Sequence, residues 1–159
     1  MGRTRKIWLT LRMKAAVRLW ALWVPILARE KHLKRLISRT LPRSSAKPYE
    51  GLTAHAIVKS CRKATRRPYF MADRPCLREG LMANRFLMLA GFNPSLHFGM
   101  DRTSLSAPTI AAHCWVVADD EVMNAPTPVM IEILRVANGA ITRSGTDGLS
   151  LSTAAPLKG

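Results

Sequence analysis

The stretch RPCLREGLMANRFLMLAG, residues 74–91, decides how this chain folds. At helical periodicity Gly80, Ala83 and Leu87 fall beneath Cys76, with Leu77, Leu81 and Met88 to one side and Met82, Phe86 and Leu89 to the other. Only a narrow Arg78/Arg85 strip is polar. A helix that is apolar nearly all round is a central one, covered by other elements. Gly91 follows where a C-cap is expected. Cys76, directly after Pro75, then stands at the helix N-terminus. Free backbone N–H groups and the positive end of the helix dipole favour thiolate there, and thiolate is the nucleophile. A cysteine inside a helix would be only a small packed hydrophobe.

The chain has 159 residues, enough for one domain with a real core. Hydrophobic residues make up 48%, too many for a disordered basic chain. The formal net charge is +15, a field that favours anionic partners: nucleic acid, an anionic membrane surface or an acidic peptide. The three cysteines, Cys61, Cys76 and Cys114, form no CxxC pair and no even framework, so neither disulfides nor a zinc site is expected. Reduced thiols point to a cytoplasmic setting. No cofactor is called for.

Residues 7–41 have helical periodicity, with Trp8, Leu11, Ala15, Leu19 and Leu22 at spacings of three and four. Pro25 should kink or end that helix, and a second runs on to Pro42. The longest uncharged run there, Leu19–Ala28, has ten residues, where a membrane span needs about 20. Neither a signal peptide nor a transmembrane helix is expected. PRSSAKPYEG (42–51) is a turn-rich linker, and Ala54–Lys63 a third helix. PSLHFGM (94–100) alternates Leu96, Phe98 and Met100 on one strand face. AAHCWVVADDEVMN (111–124) predicts a hairpin turning at Asp119–Asp120. The Gly/Ser/Thr-rich segment from Asn138 onward is expected to be loose.

Strand alternation sends His113, Trp115 and Val117 to one face and Cys114 and Val116 to the other. A two-residue turn pairs Trp115 with Asn124 and Val117 with Val122, which sets Asn124 diagonally beside His113. The set is thus a cysteine opening a buried helix, a histidine on a strand and a polar residue on the next strand. Nucleophilic acyl chemistry needs such a set: the imidazole takes the thiol proton and returns it to the leaving amine, and the third residue orients the ring. The Cys76 backbone N–H would supply part of an oxyanion hole.

RPCLREGLMANRFLMLAGFNPSLHFGM, followed after a short gap by AAHCWVVADDEVMN, resembles the transglutaminase-like leader peptidases of lasso-peptide biosynthesis, the B proteins. The shared features are the proline–cysteine–leucine helix start, the leucine-rich helix closed by glycine, the short strand and the alanine–histidine–X–tryptophan strand. With the Arg/Leu-rich helical region before them, the resemblance covers most of residues 7–125. It implies an α+β, papain/transglutaminase-like core with an N-terminal helical extension. It also implies a cysteine endopeptidase that removes the leader from a ribosomally made precursor, with Cys76 as nucleophile and His113 as general base. A small leader-recognition protein would present the substrate, and a separate ATP-dependent cyclase would close the ring. The family commonly places an aspartate just past the asparagine of the second hairpin strand, where this chain has Ala125. Asn124 therefore takes the orienting role here, with Asp119 and Asp120 as rivals. The chain contains no glutamine, so a papain-style glutamine in the oxyanion hole is absent.

The expected organisation is a basic helical region over 1–50, the peptidase core over 51–137 and a flexible tail over 138–159. A catalytically impaired member that grips the precursor or scaffolds the cyclase is the alternative. Nucleic acid is not an expected partner, for no helix-turn-helix pattern or aromatic RNA platform accompanies the charge; contact with a membrane surface remains open. Cys61 and Cys114 are expected to be inert, His97 to be a surface histidine, with lining of the cleft the alternative, and Trp8, Trp20 and Trp23 to pack between helices rather than form a membrane belt. The basic run Arg62–Arg67 reads as a solvated face, with docking of an acidic peptide or partner the alternative.

Overall fold

A computed structural model describes residues 3–66, 74–106, 111–124 and 130–144. Four helices come first: α1 (Arg3–Leu27), α2 (Leu33–Thr40), α3 (Ala54–Thr65) and α4 (Pro75–Leu89). Five strands follow: β1 (Ser95–Asp101), β2 (Ala112–Ala118), β3 (Glu121–Val122), β4 (Met130–Ala137) and β5 (Ala140–Arg143), with a 3-10 turn, Arg102–Ser106, after β1. They form one antiparallel sheet in the order β3-β2-β1-β4-β5. The architecture is α+β.

The central helix is α4. It packs on β2 and β1 with one side and on α3, α1 and α2 with the others, so Leu81, Met82, Ala83, Phe86 and Leu87 are all buried. One hydrophobic core runs from Leu9 of α1 to Val136 of β4. The helix closes as its sequence predicts. Gly91 has φ +94°, its N–H reaches Met88 O at 3.0 Å, and Phe92 N–H reaches Leu87 O at 3.1 Å. That pair of bonds is a Schellman cap, which needs a left-handed residue at Gly91.

The polar strip of α4 faces protein, contrary to its appearance on the wheel. Arg85 donates from Nη1 to Thr40 O and Leu41 O, each at 2.8 Å, which caps the end of α2. Its guanidinium also lies 4.2 Å from the Trp20 ring centre. Arg78 is buried and donates from Nη2 to Ala21 O of α1. Pro25 explains that contact. In a regular helix Ala21 O would accept from the N–H of residue 25, but proline has none. α1 does not stop at Pro25; it continues to Leu27, and the carbonyl that the proline orphans is met by α4.

A thermodynamic cycle tests this pairing. Arg78→Met should cost about 1–3 kcal/mol, the usual penalty for stranding a buried acceptor, and so lower Tm by several degrees. In a Pro25→Ala background the new N–H serves Ala21 O within the helix, and the same substitution should cost about 1 kcal/mol less. Strict additivity of the two changes in thermal melts would refute the account.

The first hairpin has the expected register, Val117 opposite Val122 and Ala118 opposite Glu121. Asp119 and Asp120 have φ of 51° and 60°, the left-handed pair of a type I′ turn. The segment after Asn138 departs from expectation. Asn138 (φ 50°) and Gly139 (φ 80°) make a second such turn, and Ala140–Arg143 returns along β4 as β5. Asparagine–glycine tolerates this backbone better than any other dipeptide, so the sheet gains an edge strand where a loose tail was expected. Residues 145–159 lie outside the described residues.

Candidate active site

Pro75 occupies the first position of α4, where a missing N–H costs nothing, and Cys76 follows it in the first turn. The thiol is half-buried. β2 crosses the start of this helix closely because Gly80 has no side chain. A Cβ there would lie 2.6 Å from Cys114 Sγ and 2.9 Å from Leu96 Cδ1. The close crossing sets Cys114 Sγ 3.1 Å from Cys76 O and brings His113 near enough for its charge to act on the thiol.

Cys76 is held down to about 5, far below an ordinary thiol. The main cause is the Cys114 S–H as a hydrogen-bond donor, opposed by burial; the Cys114 backbone N–H, the His113 charge and the Leu77 N–H add to it. The same contact pushes Cys114 up, together with burial and the repulsion of a Cys76 thiolate. One S–H thus faces two acceptors, the Cys76 carbonyl and the Cys76 sulfur, and the ionised sulfur is the stronger. Cys114 is thus held protonated itself, yet its S–H is the main support of the Cys76 thiolate, a role the sequence does not suggest. Cys61 differs: it is fully buried and pushed well up by desolvation, which keeps it a packed thiol.

Cys114→Ala should move the pH midpoint of Cys76 alkylation upward by at least about one unit, since the largest favourable contact is lost. Iodoacetamide kinetics between pH 4 and 9 would show it. An unchanged midpoint would mean that the helix end and His113 suffice.

The third residue has a different environment from the one expected. β3 ends at Val122, and Asn124, buried just beyond it, accepts at Oδ1 from Val116 N–H at 2.8 Å. The side chain continues the β2–β3 ladder where the strand itself stops. Among the described residues no hydrogen bond joins it to His113. The rivals Asp119 and Asp120 sit in the exposed turn, at the opposite end of β2 from His113, about 20 Å away along the strand. Ala125 lies outside the described residues.

His97 is the residue the sequence undervalues. It does face away from Leu96, yet it is buried, not on the surface. Its Nε2 is 2.7 Å from Ser95 Oγ and its Nδ1 is 2.7 Å from Glu132 Oε2. Ser144 Oγ donates to the other carboxylate oxygen of Glu132 at 3.1 Å. The ring stacks on Trp115, 5.6 Å between centres. Trp115 in turn lies over Gly99, the cross-strand partner of His113; a Cβ on Gly99 would come within 2.9 Å of the indole. The signal was the alternation of Glu132 with Ile131 and Ile133, which marks a strand able to bring a carboxylate to β1.

Glu79, on the α4 turn that follows Cys76, is paired with Arg62 at 3.1 Å. That pair ties the end of α3 to the helix of the cysteine, so Arg62 is not simply solvated; Arg67 lies outside the described residues. An open groove of about 470 Å³ lined by Pro42, Lys47, Met88 and Phe92 lies at the far end of α4, remote from the thiol. Among the described residues no group of three or more His, Cys, Asp or Glu is placed to hold a metal ion.

A family profile described as transglutaminase-like superfamily matches residues 16–134, which include α4 and the whole of β2. The chain belongs to the transglutaminase-like superfamily. Such membership suggests a cysteine hydrolase type of enzyme, with cysteine peptidase or transglutaminase activity as the chemistry it implies. The transglutaminase-like match starts within α1, so most of the basic helical region is part of it. No curated protein and no solved structure matches the chain.

Proposed function

We propose that this transglutaminase-like protein is a cysteine endopeptidase that removes the leader of a lasso-type precursor peptide before ring closure. The observation that carries the reading is the placement of Cys76 in the first turn of α4, crossed by the β2 strand of His113 so closely that Cys114 Sγ lies 3.1 Å from the Cys76 carbonyl, a setting that favours the thiolate. His113 takes the Cys76 proton, and the thiolate attacks the scissile carbonyl. The tetrahedral oxyanion is met by the Cys76 N–H, one of the donors that the first helical turn leaves unused. Collapse expels the leader–core amine, which takes the proton from His113. Water, activated by the same imidazole, then hydrolyses the thioester and frees the thiol.

Asn124 is the orienter in this scheme. One lone pair of Oδ1 goes to Val116 N–H, and in this scheme the second would accept from the ring N–H of His113. Asn124→Ala should then lower kcat about tenfold or more at unchanged alkylation of Cys76, while Asn124→Asp should restore most of it. Loss of Tm with normal kcat in Asn124→Ala would leave the residue only its strand-holding bond.

The precursor leader is the substrate's recognition element, delivered by a small leader-recognition protein to this peptidase and passed on to an ATP-dependent cyclase. Incubation of the purified protein with a precursor, with and without the recognition protein, tests the reading by mass spectrometry. Two fragments that join at a single peptide bond support it. A second reading, a precursor-binding member without turnover, draws on the commitment of Asn124 Oδ1 to the strand. Tight leader binding with no fragments would select it.

A further inference from the structure

α1 has two apolar faces, and the fold uses only one. Leu9, Met13, Val17, Ala21 and Val24 recur at helical spacing and are buried against α3 and α4. On the opposite side Trp8, Leu11, Leu19, Leu22, Trp23 and Ile26 are each more than half exposed. At 100° per residue these six fall in one stripe, about 27 Å long from Trp8 to Ile26. The tryptophans expected to pack between helices, Trp8 and Trp23, are thus solvent-facing; only Trp20 packs.

Charge identifies the occupant of this stripe. Arg5 and Arg12 flank it on one edge and Lys14 and Arg18 on the other, and α1 contains six basic residues and no acidic one. A second copy of the chain would bring the same six charges against these. Apolar residues with indoles among them and cations along both edges suit the boundary between acyl chains and anionic headgroups. None of the helices is long and apolar enough to cross a membrane, among the described residues, so α1 would lie in the surface plane. We propose that the outer stripe of α1 docks this protein on an anionic lipid bilayer, with its buried stripe keeping the peptidase core attached above.

Full-length protein is mixed with vesicles of phosphatidylcholine alone, or with a minority of phosphatidylglycerol, and floated on a density gradient. Binding to the anionic vesicles is expected, at least about tenfold stronger than to neutral ones and weakened by salt. Leu11→Ser/Leu22→Ser/Trp23→Ser should abolish it, and Arg12→Glu/Arg18→Glu should remove the preference for anionic lipid. All five positions face solvent, so far-ultraviolet circular dichroism and Cys76 alkylation should stay normal in both variants. Flotation of the triple-serine variant equal to that of the parent would overturn the proposal. So would failure of the parent to float, whether it remains monomeric, binds an acidic peptide instead, or forms dimers that the same serines abolish. Loss of peptidase activity would not bear on it, because the readout is lipid binding.

Discussion

Cys76→Ala is expected to lower leader cleavage by about 10⁴-fold or more, to the level of the uncatalysed background. No other group takes the nucleophile's place. Cys61 is sealed in the core with its proton held tightly, and Cys114 is buried, so that desolvation and the nearby Glu79 charge still oppose its ionisation once the Cys76 thiol is gone. The wild-type rate of alkylation should fall as pH drops through about 5, because the lowered thiol is thiolate above that value and thiol below it. Cys61→Ala should leave both cleavage and alkylation unchanged. Fragment yield by mass spectrometry, followed alongside iodoacetamide kinetics, checks each statement. Cleavage by Cys76→Ala within tenfold of the parent would end the covalent mechanism.

His113→Ala should produce the next largest loss, about 10² to 10⁴-fold in kcat, and a dissociation that no packing defect would mimic. His113 is only one of several causes of the low Cys76 thiol, ranking after the Cys114 thiol and its backbone N–H. Most of the thiolate should therefore survive the substitution at pH 7. Alkylation should stay within a few fold of normal while cleavage collapses, since the amine leaving group then has no acid to protonate it. Parallel loss of both would mean that β2 had moved and that the imidazole mattered for position alone.

Much of the fold was legible because single elements carried unambiguous patterns. α4 announced itself through Pro75, its all-round apolar surface and Gly91, and the β2–β3 hairpin through alternation around Asp119–Asp120. The Cys76/His113 pair followed from those two elements. Other features were hidden for physical reasons. The outer residues of β4, Ile131 and Ile133, are apolar but face solvent, so their alternation with Glu132 marks a strand yet points the wrong face, and Glu132 with it, away from the core. The Asn138–Gly139 turn was visible, yet the polar residues around it read as a tail. His97 looked like a surface residue because its carboxylate partner, Glu132, is distant in sequence and on a strand not foreseen. Cys114 looked inert because the gap that seats it comes from what Gly80 lacks. Asn124 was placed by register, which cannot show that its oxygen would be spent on Val116 N–H.

The Ala21 carbonyl ties two positions together. With proline at 25, α1 holds an acceptor unmet within the helix, and Arg78 meets it from α4. Neither residue is freely replaceable while the other remains. Among descendants of a common ancestor the two should be inherited as a unit: chains without proline at 25 should be released from arginine at 78, and chains that keep both should resist single changes. Divergence in the first helix is in this way tied to the turn that bears the cysteine, 57 residues away in the chain and one hydrogen bond away in space.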